Sequence, residues 1–95
     1  MPVLRRTSST THARATLDGG VTIYWRPGCP LCARLRSALR QHNDRITWVN
    51  IREDPEAAAF VRTTNPGGHE LVPVAVIAGV AHPRPTPRLV LAALR

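Results

Sequence analysis

The sequence predicts an α/β domain with the element order β-α-β-α-β-β-α, a four-stranded mixed sheet and helices on both of its faces. Three observations carry that expectation. Short apolar runs alternate with stretches of helical periodicity, the pattern of strands joined by helical crossovers. Ala78-Gly79 then separates two apolar runs as a tight turn would, which adds a hairpin to the alternation. Finally, 95 residues make one small domain, which buries enough apolar surface only if its sheet is covered on both faces.

Residues 1–20 are rich in Ser, Thr and Arg and show no hydrophobic periodicity, so they are expected to form a flexible tail, with the domain occupying 21–95. An Arg- and Ser-rich opening is also the composition of a transit peptide, and Arg5-Arg6 has the look of a twin-arginine signal. Neither is followed by the apolar segment it requires. Asp18-Gly19-Gly20 is a turn into the first strand, Val21–Trp25, which Pro27-Gly28 ends. A helix is expected from Pro30 to His42. Proline is acceptable in its opening turn because that N–H has no helical partner, and Leu31, Leu35, Ala38 and Leu39 lie on one face. Arg34, Arg36 and Arg40 are left to solvent, and Asn43-Asp44 ends the helix.

The second strand, Ile46 to Ile51, is apolar on both faces through Ile46, Trp48, Val49 and Ile51, as a central parallel strand would be. Asp54-Pro55-Glu56 is a helix start, with an N-cap, proline in first position and an acid in the first turn. Ala57, Phe60 and Val61 form its inner stripe and Asn65-Pro66-Gly67-Gly68 stops it. The third strand, Val72 to Ile77, carries Pro73 among its first residues, where no ladder donor is needed. Val80 to His82 follows as a short fourth strand. Thr86 caps the last helix, Pro87 begins it, and Leu89, Val90, Ala93 and Leu94 are its expected inner face.

The chemistry is concentrated in Arg26-Pro27-Gly28-Cys29-Pro30-Leu31-Cys32, which holds the only two cysteines. A strand that turns sharply delivers Cys29 to the start of a helix, where unpaired N–H groups and the helix dipole favour a thiolate over a thiol. Cys32 follows nearly one turn later on the same side, within reach of a bond. A structural bridge across so short a loop would remove little entropy from the unfolded chain. Cys-x-x-Cys is also half of a zinc pattern, but His12, His42, His69 and His82 are not paired at ligand spacing, so no metal site is expected. Redox chemistry is the reading that spacing and context favour. A phosphatase loop of the Cys-x5-Arg kind is excluded, because Leu35 stands where the arginine is required.

All 13 basic residues are arginine, against 6 acids, for a net charge of +7. The arginines are scattered without aromatic interleaving, so a nucleic-acid surface is not expected. Anionic thiols or acidic protein partners use such a charge better. No apolar run reaches the ~18 residues of a membrane helix. Two close cysteines are not a secreted disulfide framework, and a reducing cytoplasm is the natural setting.

A strand running into Cys29-Pro30-Leu31-Cys32, the Val72-Pro73 dipeptide and this element order together resemble the glutaredoxins, over Val21 to the C-terminus. Within that family the chain is most similar to the mycoredoxins, which serve mycothiol instead of glutathione. The segment Glu56-Ala57-Ala58-Ala59-Phe60-Val61, the following Asn65 and paired glycines, and Pro85 ahead of the last helix carry the similarity. Two departures stand out. Leu31 replaces the tyrosine many glutaredoxins carry there. Ala81-His82-Pro83-Arg84-Pro85 replaces the glycine-glycine-acid turn that helps hold glutathione.

The resemblance implies a thioredoxin-like fold and thiol–disulfide oxidoreductase activity. Cys29 would be the nucleophile and Cys32 the resolving cysteine, more buried and of higher pKa. It also implies that Val72–Pro73, an ordinarily trans type of bond, is cis and faces the cysteines, so that Val72 pairs with a bound thiol. Pro30, Leu31 and Arg26 would border the same site, Arg26 as a cation near the sulfurs. His69 and Glu70 fit a solvated loop.

No bound cofactor is implied. Mycothiol or glutathione is the co-substrate, and protein mixed disulfides and a thiol–disulfide reductase system are the partners of a monomer. Two other readings remain. One is a dithiol redoxin feeding protein disulfides, such as ribonucleotide reductase, through a flavin reductase. The other is a redox-sensing regulator of the arsenate-reductase-like type, which normally carries a helical insertion that this chain lacks room for.

Overall fold

A computed structural model describes His12 and residues 20–94 of the chain. Strand β1 (Val21–Trp25) leads into helix α1 (Pro30–Ala38), then β2 (Ile46–Asn50) and α2 (Pro55–Thr64). The hairpin β3 (Val74–Ile77) and β4 (Val80–Pro83) follows, then α3 (Pro87–Ala93). The sheet has four strands in the order β2-β1-β3-β4. β1 and β2 are parallel, because a helix joins them, while β3 is antiparallel to both β1 and β4. The hairpin turn puts both Ala78 (φ 51°) and Gly79 (φ 81°) in the left-handed region, the geometry that matches the strands' twist.

Alternation along the strands makes two cores. Val21, Ile23 and Ala75 pack with Leu35 and Leu39 of the α1 segment and Val90 and Leu94 of the α3 segment. Tyr24, Val49 and Val74 face the other way, onto Ala57 and Val61 of α2. The expected mixed sheet with helices on both faces is therefore what forms. α2 begins as its sequence indicates, with Asp54 Oδ1 accepting from the N–H groups of Glu56 (3.0 Å) and Ala57 (3.3 Å). Thr86 Oγ1 likewise accepts from the Leu89 N–H at 3.2 Å.

Several expectations are corrected. The first helix does not continue to His42. Its last turn tightens, Leu39 N–H reaching both Leu35 and Arg36 carbonyls, and a 3₁₀ segment Arg40–Arg45 follows. β2 is an edge strand, not a central one. Its two apolar faces are covered by helices and by the Arg36 guanidinium, which lies 5.2 Å from the Trp48 ring and 4.8 Å from that of Trp25. Burial of faces and pairing of edges are separate matters, and only the first is written in the residue types. β3 starts at Val74, leaving Pro73 just outside as an acceptor for the Arg84 N–H at 2.9 Å. On α3 the buried residues are Val90 and Leu94, with Leu91 beside them, whereas Leu89 and Ala93 are exposed. Leu89 to Leu94 is apolar all round, so its periodicity could not choose a face.

The expected tail lies outside the described residues apart from His12 and Gly20. His12 is fixed against α2. Its N–H donates to Asp54 Oδ2 at 2.6 Å and its ring stacks on Phe60 at 4.9 Å. Its Nδ1 and the Tyr24 hydroxyl are 2.7 Å apart, which gives that buried phenol a polar partner. Burial, and secondarily the Asp54 charge, push the Tyr24 pKa up to about 12.

Candidate active site

Gly28 makes the turn out of β1 at φ +81°, a backbone conformation that a side chain would strain. The next residue, Cys29, stays extended (φ −97°, ψ 111°) and serves as the N-cap of α1, with Pro30 in the opening turn. Its Sγ takes the place of a capping oxygen and accepts the Cys32 N–H at 3.2 Å. The sulfur is thus held at the positive end of the helix by a local interaction the sequence spacing dictates. On its other side the Cys29 thiol meets the Val72 carbonyl, donating to it at 3.7 Å. The Val72–Pro73 bond is cis, as the resemblance implied.

The two sulfurs are unequal. Cys29 is partly open to solvent, and both thiols are free. Cys32 is 3 % exposed, packed with Tyr24, Ile51 and Val72. Burial above all, and then its hydrogen bond to Cys29, push the Cys32 pKa up to about 12. The Arg26 backbone and charge pull it the other way. Arg26 itself is exposed, and its resolved influence falls on Cys32. Pro30 is exposed, Leu31 is 50 % exposed at the mouth of the site, and Val72 and Pro73 are buried beneath it. The sequence had placed Leu31 and Ala38 on the inner face of α1. They are instead exposed, and with Pro73 and Pro85 they border a cleft of about 490 Å³. The turn of α1 sends Leu35 into the core between them.

One positioning residue was not foreseen. Asn65, buried after α2, directs its Nδ2 at the carbonyls of Val61 (3.0 Å), His69 (3.1 Å) and Leu71 (3.0 Å). It ties the loop that delivers Val72 to the end of α2. Its sequence signal is an amide directly before Pro66-Gly67-Gly68, a stretch that reads as the end of α2 and as part of the similarity to mycoredoxins, with no sign of the carbonyls it reaches. His69 and Glu70 are exposed, and Glu70 pairs with Arg62. Among the described residues, no three His, Cys, Asp or Glu side chains gather as metal ligands would. No helix among them is long and apolar enough to cross a membrane.

This arrangement can exchange disulfides: an accessible sulfur at a helix N-terminus, a buried thiol beside it, and a carbonyl flanking the approach. The family model for glutaredoxin matches residues 21–82, from the first residue of β1 into β4. No curated protein matches the chain.

Proposed function

The chain belongs to the glutaredoxin family of thiol–disulfide oxidoreductases, with the thioredoxin-like fold of that family, and on that premise we propose that it reduces mixed disulfides between proteins and a low-molecular-weight thiol. The observation that carries the reading is the inequality at Cys29 and Cys32. The outer sulfur is held by the Cys32 N–H at 3.2 Å, while the inner one is buried with its pKa raised to about 12. At neutral pH the inner group is a thiol and a poor nucleophile, which leaves the first attack to Cys29.

The Cys29 thiolate attacks the thiol-side sulfur of the mixed disulfide. The protein's sulfur leaves with the bonding pair and takes a proton, and the small thiol remains on Cys29. A second small thiolate then attacks that sulfur, releasing a symmetric disulfide and restoring Cys29. The two electrons come from the two small thiols, which a disulfide reductase regenerates. Val72 contributes its backbone to hold the incoming thiol, and Leu31 and Pro73 border the approach.

Mycothiol is the favoured co-substrate. Ala81-His82-Pro83-Arg84-Pro85 lacks the paired glycines and acid that a glutathione site of this family uses, and the α2 and Asn65 segments are similar to mycoredoxins. A reducing cytoplasm suits two close cysteines that form no disulfide framework, and we take the chain to act there as a monomer. The test is turnover of one protein substrate carrying mycothiol or glutathione, each with its own reductase system. A higher kcat/KM with mycothiol is expected, and the reverse order would reassign the thiol.

A second reading draws on the closeness of the two cysteines: the Cys32 N–H lies 3.2 Å from Cys29 Sγ, which keeps Cys32 beside Cys29. Attack of Cys32 on a Cys29 mixed disulfide releases the small thiol or protein and closes an internal disulfide. That route is the one a dithiol redoxin uses on protein disulfides such as ribonucleotide reductase, with a flavin reductase as electron source.

A further inference from the structure

His12 stands outside residues 21–82, the part of the chain that the family model matches, yet it is fastened to the domain by main chain and ring. Its N–H donates to Asp54 Oδ2 at 2.6 Å, while Asp54 Oδ1 caps α2. Its Nδ1 and the Tyr24 hydroxyl share a hydrogen bond of 2.7 Å. Its ring centroid lies 5.7 Å from that of Tyr24 and 4.9 Å from that of Phe60, and those two rings are 5.0 Å apart.

Tyr24 connects this contact to the dithiol. It is 1 % exposed and shares an apolar cluster with Cys32, Val72 and Val74, against which Phe60 packs. Burial, and then the Asp54 charge, push its pKa up to about 12, so at neutral pH it is a buried phenol whose hydroxyl needs a partner. Among the described residues, His12 supplies one. Without it the hydroxyl is stranded, and the strain is relieved by admitting water or by turning the ring outward. Either movement loosens the packing around Cys32. The polar contacts of Cys29, to the Cys32 N–H and the Val72 carbonyl, do not pass through Tyr24.

We propose that His12 is a positioning residue for the resolving step: by pairing the Tyr24 hydroxyl it keeps Cys32 enclosed, slows closure of the internal disulfide and so favours exchange of the Cys29 mixed disulfide with a second small thiol. The proposal deepens the preceding reading and rests on its assignment of Cys29 as attacker and Cys32 as resolver. In the step concerned, Cys32 gives up its proton and its sulfur attacks Cys29 Sγ of the mixed disulfide. The Cys29–Cys32 bond forms and the bond to the small thiol breaks. The small thiolate leaves with the electron pair and takes up the proton. Looser packing at Tyr24 gives Cys32 the freedom and the water that this step requires.

Two substitutions separate ring from partner. His12→Phe keeps the aromatic contacts and loses the hydrogen bond, whereas His12→Asn keeps a polar group near the Nδ1 position and loses the ring. The main-chain tie to Asp54 is available to both. Iodoacetamide labelling with mass mapping reads each cysteine of the full chain, and circular dichroism checks the fold. His12→Phe is expected to speed Cys32 labelling about fivefold or more, as stranding one buried hydroxyl would. Cys29 labelling should stay within about twofold, because its contacts are independent of Tyr24. His12→Asn should remain nearer the unaltered chain than His12→Phe. In a Tyr24→Phe background, which has no hydroxyl to pair, His12→Phe should add nothing further. The same order is expected for release of mercaptoethanol from Cys29 loaded with it, measured with no thiol added.

Cys32 labelling unchanged in His12→Phe would overturn the proposal. So would equal acceleration of both cysteines, which is general loosening, or an undiminished effect in the Tyr24→Phe background. If His12→Phe does not fold, His12→Ala in the two Tyr24 backgrounds carries the same comparison. Selective acceleration of Cys32 in a chain that reduces no mixed disulfide would support the hold on Cys32 and sink the catalytic reading instead.

Discussion

The Cys32 backbone N–H donates to Cys29 Sγ at 3.2 Å, so the second cysteine supports the first through its main chain. Substituting the Cys32 side chain leaves that N–H, and with it the cap, in place. The support of the outer sulfur and the resolving chemistry can therefore be separated by mutation.

Alkylation should follow this asymmetry. With limiting iodoacetamide at neutral pH, mass mapping is expected to find Cys29 modified first. Cys32, 3 % exposed and with its pKa pushed to about 12, should react only on unfolding. Preferential labelling of Cys32 in the folded chain would reverse the assigned roles.

Stability should fall in alkali for a defined reason. The Cys32 pKa is raised from 9.0 to about 12 and the Tyr24 pKa from 10.0 to about 12. Both groups hold their protons more tightly folded than unfolded. Their contribution is complete below the unfolded values and is lost as pH rises through the folded ones. Denaturant midpoints should accordingly decline between about pH 9 and 12, and Cys32→Ala should flatten the lower part of that decline.

Asn65→Ala is expected to cost roughly 1–3 kcal/mol in denaturation, the range for stranding buried polar partners. Three carbonyls lose one amide donor at once. Asn65→Asp, equal in shape, turns an acceptor toward those carbonyls and should be worse than alanine. Since the loop carries Val72 to Cys29, kcat/KM should drop along with stability in both. A variant of native stability and activity would remove Asn65 from the account.

Arg36→Ala should expose two indoles. The guanidinium lies over both Trp25 and Trp48, so a loss of about 0.5–1 kcal/mol is expected together with a red-shifted fluorescence emission. An unchanged spectrum would mean that the arginine is not over the rings in solution.

Much of this was legible from the chain. The dithiol at a strand-to-helix turn, the caps Asp54 and Thr86, and the hairpin at Ala78-Gly79 all depend on local backbone chemistry, which adjacent residues spell out. What was not legible depends on position in space. β2 carries the residues of a buried strand but sits at the sheet edge, because apolar faces report covering helices and not neighbouring strands. Leu31 and Ala38 share the helical face of Leu35, yet only Leu35 meets the core. The uniformly apolar Leu89–Leu94 left the rotation of α3 undetermined. Asn65 satisfies carbonyls up to six residues ahead of it in the chain, and that reach has no periodic signature.

The sulfur that makes the first attack decides the mechanism. The direct measurement is reduction of a protein mixed disulfide by Cys29→Ser and Cys32→Ser, side by side with the unaltered chain. Cys29→Ser is expected to be inactive, while Cys32→Ser, with the Cys32 N–H still at Sγ, retains much of the rate. Activity surviving in Cys29→Ser would contradict the assignment of the nucleophile, and complete loss in Cys32→Ser would replace the mixed-disulfide route with the dithiol one.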